Sequence, residues 1–528
     1  MNRVSIYDTT LRDGGQGEGV SFSVKDKIKI ALKLDHLGVD YIEGGWPGSN
    51  PKDLEFFKQA RELDFEHATL TAFGSTRRPN GKVEEDANLK AFIESGAKVI
   101  TIFGKTWDFH VTDALGVPLE ENLAMIRESI LFLKDHGKRV FYDAEHFFDG
   151  FKANPEYAIK TLLVAQEAGA ECIILCDTNG GCLPHEVVAI MDTLKKSITT
   201  PLGIHCHNDG DLAVCNSLIA VEAGASQVQG TMNGLGERCG NANICSIIPN
   251  LQLKMGYDCL GERISFLTEA ARYVAEIANL SMATGQPFVG HSAFAHKGGI
   301  HVSAVMKNPK TYEHLNPEDI GNKRRVLISD QSGASNLRYK VKEMGLEFPD
   351  DKNLQRSIIN KVKEMEHAGY QFEGAEGSFK LLLKKETGEF EPGFELDSFR
   401  VITQKLGNSK VHSEATIKLM VGDKVMHTAA DGNGPVNALD NALRKALRVG
   451  YPEIEEMHLA DYKVRVLEGK DATGAQVRVL VDSKDQNDEW GTIGVSSDII
   501  EASWQALTDS ISYKMMKDKK NGNGTSKK

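Results

Sequence analysis

Five times in the first half of the chain a helical pattern ends on a glycine and runs into an apolar strand, at Gly38, Gly96, Gly137, Gly169 and Gly224. Glycine suits the left-handed position that closes a helix, so the recurrence has a physical cause. It predicts strands near 4–8, 39–43, 68–73, 98–103, 139–144, 172–177, 202–207 and 227–232, with helices between them. In the first of these helices Ile30, Leu34 and Leu37 recur at i, i+4 and i+7. Eight strand–helix units in about 260 residues predict an α/β fold, a (β/α)8 barrel. A doubly wound sheet is the alternative, but its phosphate-binding glycines should follow strand one, where this chain has Asp13-Gly14-Gly15-Gln16.

At 528 residues the chain is too long for one core and calls for two or three domains. A net charge of −12 argues against a nucleic-acid surface. No apolar run is long enough to cross a bilayer, and no signal-peptide pattern precedes the first strand, so a cytoplasmic protein is expected. The eight cysteines lie between Cys172 and Cys259 without a CxxC pair, as expected of reduced and mostly buried thiols.

Barrel chemistry gathers at the C-terminal ends of the strands. Those ends carry Arg12 and Asp13, Glu43, Lys105, Glu145, Asp177 and Thr178, His205 and His207, and the loop Asn233 to Asn241. His205 and His207 stand at i and i+2, so both rings share one strand face and Cys206 takes the other. With Asp13, and Asn241 as a weaker fourth, they form a mixed oxygen and imidazole set. Such a set points to Mg²⁺ or Mn²⁺, with Zn²⁺ the alternative. The glycines of the 234–241 loop either let backbone approach a ligand or only allow a tight turn.

Three motifs, DTTLRDGGQ, IHCHND and NGLGERCGN, in this order resemble the α-isopropylmalate synthase, homocitrate synthase and citramalate synthase family of Claisen-condensing barrels. The resemblance runs to near residue 513, and IEGGWPGSNPKD, FGSTRRP and YDAEHFFDGF are most similar to its citramalate-forming branch. Two departures stand out: Gly15 where the family often has Glu, and HNDGDLA for the commoner HNDLGLA. The resemblance implies acetyl-CoA and a 2-oxo acid, pyruvate in this branch, as substrates. It further implies Arg12 stabilising an alkoxide, Thr178 and Glu43 binding substrate, and His301 as general base oriented by Glu145. His296 is the competing base. Phe73 and Phe103 end neighbouring strands and are expected to narrow the acyl pocket.

Expected domains are the barrel over 1–262, helical linker subdomains over 263–392, a C-terminal α+β domain over 393–514 and a disordered tail over 515–528. GPVNALDNALRKAL and SDIIEASWQAL correspond, each following alternating strands, which marks an internal repeat. The resemblance implies an allosteric domain for a branched-chain amino acid, isoleucine being expected, and a homodimer. A domain that only dimerises is the alternative.

Overall fold

The computed structural model describes residues 2–329, 331–345, 349, 351–467 and 475–522. They form two compact units, one running up to Phe294 with His314–Arg324 added, the other made of Ala295–Glu313 and the chain from Arg325.

The first unit is a closed parallel barrel in sequence order. Its strands are β1 (Ser5–Asp8), β2 (Tyr41–Gly45), β3 (Thr69–Ser75), β4 (Val99–Lys105), β5 (Arg139–Glu145), β6 (Cys172–Asp177), β7 (Leu202–Cys206) and β8 (Gln227–Gly230). All five junction glycines have φ between 72° and 108°, a region that costs any residue with a Cβ. The helix Val24–Leu37 begins on a capping box between Ser23 and Asp26 and buries Ile30, Leu34 and Leu37. Between helices and barrel the outward strand residues, Ile42, Ile100, Ile102, Ile173, Leu175, Ile204 and Val228, are fully buried.

The barrel interior is unusually polar. Tyr7, whose side chain has no exposed surface, has its hydroxyl 2.8 Å from both Glu43 Oε1 and Thr71 Oγ1 and 2.7 Å from Thr101 Oγ1. Asp143 and Gln229 lie buried in the same interior. Six of the eight cysteines are buried and unpaired, and Cys215 and Cys239 are exposed.

Three expectations change here. β8 stops at Gly230, because Met232–Gly234 forms a short 3₁₀ turn with Asn233 at φ 60°. His207 lies one residue past β7, in a bridge with Asn241. The helix Leu267–Ile277, expected to open the linker, belongs to the barrel unit and buries Leu267, Ala271 and Val274 in its core.

The second unit holds the helices Ala334–Glu343, Lys352–His367 and Glu376–Glu386, then the repeat. Each half is an antiparallel three-stranded sheet followed by a helix. The first has Glu395–Gln404, His412–Val421, Lys424–Gly432 and helix Pro435–Leu447; the second has His458–Val466, Val477–Lys484, Glu489–Ser496 and helix Ile499–Gly522. A Cβ on Gly432 would meet Ala438 N at 2.3 Å, and one on Gly494 would meet Ala502 O at 2.0 Å. The same close approach of helix to third strand thus recurs in both halves. The disordered tail expected from 515 is instead helical to Gly522, and 523–528 lie outside the described residues. Among the described residues no helix is long and apolar enough to cross a membrane.

Candidate active site

The turn after β1 is tied down from several sides. Thr10 donates from its N–H and its hydroxyl to the Asp8 carboxylate, at 2.9 and 2.8 Å, and accepts from Met232 N–H at 2.8 Å. Thr9 N–H donates to Gly230 O at 2.8 Å. The turn therefore presents Arg12 and Asp13 at the barrel mouth on a rigid base. Arg12 donates from Nε to Glu43 and from Nη1 to Asp13, and its guanidinium lies 3.6 Å over the Phe73 ring.

Glu43 was expected to bind substrate. Instead one of its oxygens accepts from Tyr7 and the other from Arg12, and the residue is fully buried, so it anchors Arg12 from beneath.

Asp13, His205, His207 and Asn241 meet above this base, all nearly buried. Asp13 Oδ2 is 3.7 Å from His205 Nε2, and the two imidazole centroids are 5.3 Å apart. Asn241 Nδ2 lies 3.3 Å from Asp13 Oδ2 and 3.2 Å from His205 Nε2. Asn241 Oδ1 and His207 Nδ1 are buried without a hydrogen-bond partner. A buried nitrogen without a partner is costly, and a cation would satisfy His207 Nδ1. Asn241 would reach the same ion through Oδ1 once its amide is turned, since Nδ2 now faces Asp13 and His205. Among the described residues no three His, Cys, Asp or Glu side chains already close to metal-ligand geometry. At 3.7 Å the Asp13–His205 pair is wider than the roughly 3 Å between adjacent ligands of a small ion, so ligation needs a modest inward shift. The donor set fits a divalent ion.

Protonation suits that role. Burial, and then the neighbouring His205, lowers His207 to about 3, and burial lowers His205 too, so both rings are neutral and can ligate. Burial works against ionised Asp13, but the Arg12 guanidinium beside it outweighs that and holds the carboxyl below its usual range.

The cavity over these groups has a volume of ≈ 240 Å³. Thr178 and Glu145 line one side of it, Trp46, Phe73 and Phe103 another. Thr178 Oγ1 accepts from His146 N–H at 2.9 Å, and its backbone oxygen accepts from Arg238 at 2.8 Å. Its own hydroxyl proton is thereby left for a ligand. His146 reaches that position in a left-handed conformation, φ 55°, which a side chain rarely adopts. Glu145 is ion-paired with Lys105, a partner that its expected role did not include. Phe73 stacks on Phe103 at 5.4 Å, and Trp46 meets both edge-on at 6.0 and 5.6 Å. Trp46 is fixed by Nε1 donating to Asn88 Oδ1 at 2.6 Å.

His301 belongs to the second unit, in the first turn of the helix Gly299–Lys307, with its ring stacked on Tyr312 at 4.3 Å. His296 has its Nε2 3.0 Å from the nearly buried Glu313, so it is already engaged.

Sequence reasoning missed Trp46, Asp143, His146, Gln229 and Arg238. Gln227 and Gln229, two glutamines at i and i+2 of a barrel strand, were a readable signal of a polar interior. The loop glycines also gain a reason. Gly236 has φ 158°, and a Cβ there would meet Asn241 Oδ1 at 2.1 Å, so glycine makes room for the Asn241 side chain.

Three family models match the chain: HMGL-like over residues 3–264, homocitrate synthase post-HMGL domain-like over 288–369, and LeuA allosteric (dimerisation) domain over 373–515. An (R)-citramalate synthase of Geobacter sulfurreducens is 56% identical, covering 98% of both chains. One of Aquifex aeolicus is 55% identical over 98% of this chain and 99% of its own. A probable 2-isopropylmalate synthase of Methanopyrus kandleri stands further off, 32% identical over 97% of this chain and 98% of its own. With near full-length identity above one half, and with Arg12, Asp13, His205, His207 and Asn241 gathered at the barrel mouth, the chain belongs to the (R)-citramalate synthase family.

Proposed function

We infer that this chain condenses acetyl-CoA with pyruvate and releases (R)-citramalate and free CoA. The observation that carries the reading is a polar floor of Arg12, Asp13, His205 and His207 facing a wall of Trp46, Phe73 and Phe103 within one cavity. A dependence on a divalent metal goes with the family. Asp13, His205, His207 and Asn241 would hold the ion, and their mixed oxygen and imidazole character suits Mg²⁺ or Mn²⁺ better than Zn²⁺. When bound, such an ion supplies Lewis acidity to a 2-oxo acid's carbonyl.

The residues divide the remaining work. Thr178 donates its free hydroxyl proton to the pyruvate carboxylate. His301, acting in cis or from a partner subunit, takes a proton from the acetyl methyl group, with Glu145 supporting it. The carbon so freed attacks the keto carbon, and the carbonyl electron pair moves onto oxygen. Arg12, held flat by Glu43 and Phe73, stabilises that alkoxide before it is protonated. Water then adds to the thioester carbonyl, and the sulfur leaves as the CoA thiol.

Trp46, Phe73 and Phe103 would narrow the acyl side of the cavity and so favour pyruvate over a branched 2-oxo acid by a few kcal/mol. Thiol release from acetyl-CoA, measured with a panel of 2-oxo acids, tests the reading. A higher kcat/KM for pyruvate than for 2-oxoisovalerate is expected, and the reverse order would make the chain an isopropylmalate synthase. The C-terminal repeat would bind isoleucine and inhibit at a distance. Removal of the chain from Gly393 onward should abolish that inhibition, and persistent inhibition in the truncated protein would refute it.

A further inference from the structure

Gln229 stands on β8 with its backbone in register with Tyr7 on β1 and with His205 on β7. It is fully buried inside the barrel and does not line the cavity. Its Oε1 lies 2.8 Å from His205 Nδ1, and its Nε2 lies 3.1 Å from Asp143 Oδ1. An amide oxygen can only accept, so His205 Nδ1 must carry the hydrogen. The opposite nitrogen, Nε2, then carries the lone pair, and it is the one that faces Asp13 and Asn241. Asn241 Nδ2, itself a donor, approaches Nε2 and agrees with that tautomer.

Reversing the amide would place an N–H₂ against Nδ1, move the ring hydrogen to Nε2, and require a proton on Asp143 to donate to the amide oxygen. Only the observed orientation, with Gln229 Nε2 donating to Asp143 and Oε1 accepting from His205 Nδ1, leaves His205 Nε2 its lone pair beside Asp13 and Asn241.

We propose that Gln229, oriented by Asp143, is a positioning residue that presets the tautomer and ring angle of His205 for metal binding. The proposal rests on His205 being a metal ligand. A partner behind a metal-bound histidine fixes the ring and raises its basicity, and its loss typically weakens affinity by about 10–100-fold.

The test is Mn²⁺ affinity of the full-length protein without substrates, read from the free-ion signal in electron paramagnetic resonance, with the melting temperature followed in parallel. Gln229→Met keeps the length of the side chain and removes both polar atoms, and should raise Kd by about 10–100-fold. Gln229→Glu restores an acceptor for Nδ1–H and should return Kd to within about threefold of the parent. Thr101→Val removes a buried hydrogen bond to Tyr7 in the same interior and should leave Kd unchanged. Unaltered Kd in Gln229→Met, or equal loss in Thr101→Val, overturns the proposal while the metal site stands. If Mn²⁺ binds His205→Ala as well as the parent, His205 is no ligand and both readings fall.

Discussion

In the barrel every strand has two neighbours, so no edge is left, and helices cover the outer face. In the C-terminal repeat each sheet has only three strands, and its helix packs mainly on the second and third. The first strand is left thinly covered. In the second half, Val464 is in register with Val479 and shares its face, yet Val464 is 43% exposed while Val479 is fully buried. Val466 and Leu396 are exposed in the same way. The polar groups are distributed in the opposite sense. The barrel buries Asp8, Glu43 and Asp143 within its interior, whereas the repeat packs Ile417, Leu419, Leu439, Leu443 and Leu447 against one another. The barrel thus closes its own surface and gives up stability to hold a site. The repeat has an apolar core but an open edge, a surface that another chain can complete, as a dimerisation domain requires.

That contrast can be tested first where the effect is largest. Arg12→Lys keeps the charge but loses the planar fork that meets Glu43, Asp13 and the Phe73 face together. It should lower kcat by about 10²–10³-fold, roughly 3–4 kcal/mol, with an unchanged melting curve. A loss below tenfold would show that a simple positive charge is enough.

The buried carboxyls provide the second test. Burial raises Asp8 to about 7 in the folded chain, against the ordinary value of 3.8 when unfolded, although Thr10 opposes the shift. The unfolded carboxyl ionises first, so this group's contribution to stability is present below pH 4 and lost as pH rises to about 7, then constant. Between pH 5 and 7 that loss is roughly 2 kcal/mol, and it should be missing from Asp8→Asn. Denaturant unfolding of both proteins at the two pH values measures it, and parallel pH profiles would contradict it.

The smallest effect is expected at the repeat's open strand. Val464→Lys should change the stability of the chain by no more than about 0.5 kcal/mol. It should nonetheless shift sedimentation towards a smaller species, because a charge would then stand on an edge that a partner must cover. Unchanged self-association would place the interface elsewhere on the molecule.

Much of this was readable from local pattern. The junction glycines and the i, i+2 histidines act over a few residues, so the eight-strand count and the placing of Arg12, Asp13, His205 and His207 needed no long-range information. The repeat was legible for the same reason, through alternation followed by a helical period, although its first strand, Glu395–Gln404, begins inside a stretch that read as a boundary. The helix that carries the chain to Gly522 was hidden by a lysine- and glycine-rich composition that favours disorder.

Other roles were decided only by tertiary contacts. Glu43 ends a strand, as substrate-binding residues do, and its sequence context cannot reveal that Tyr7, 36 positions away, and Arg12, 31 positions away, occupy both of its oxygens. Gln229 signals a polar barrel interior from its place on the strand, but only closure of the barrel brings it between His205 and Asp143, 24 and 86 positions distant. Local sequence sets φ, periodicity and which face a side chain takes, because those depend on neighbouring atoms along the chain. Which partner a buried polar group finds depends on how eight strands close around it, and only the folded chain determines that.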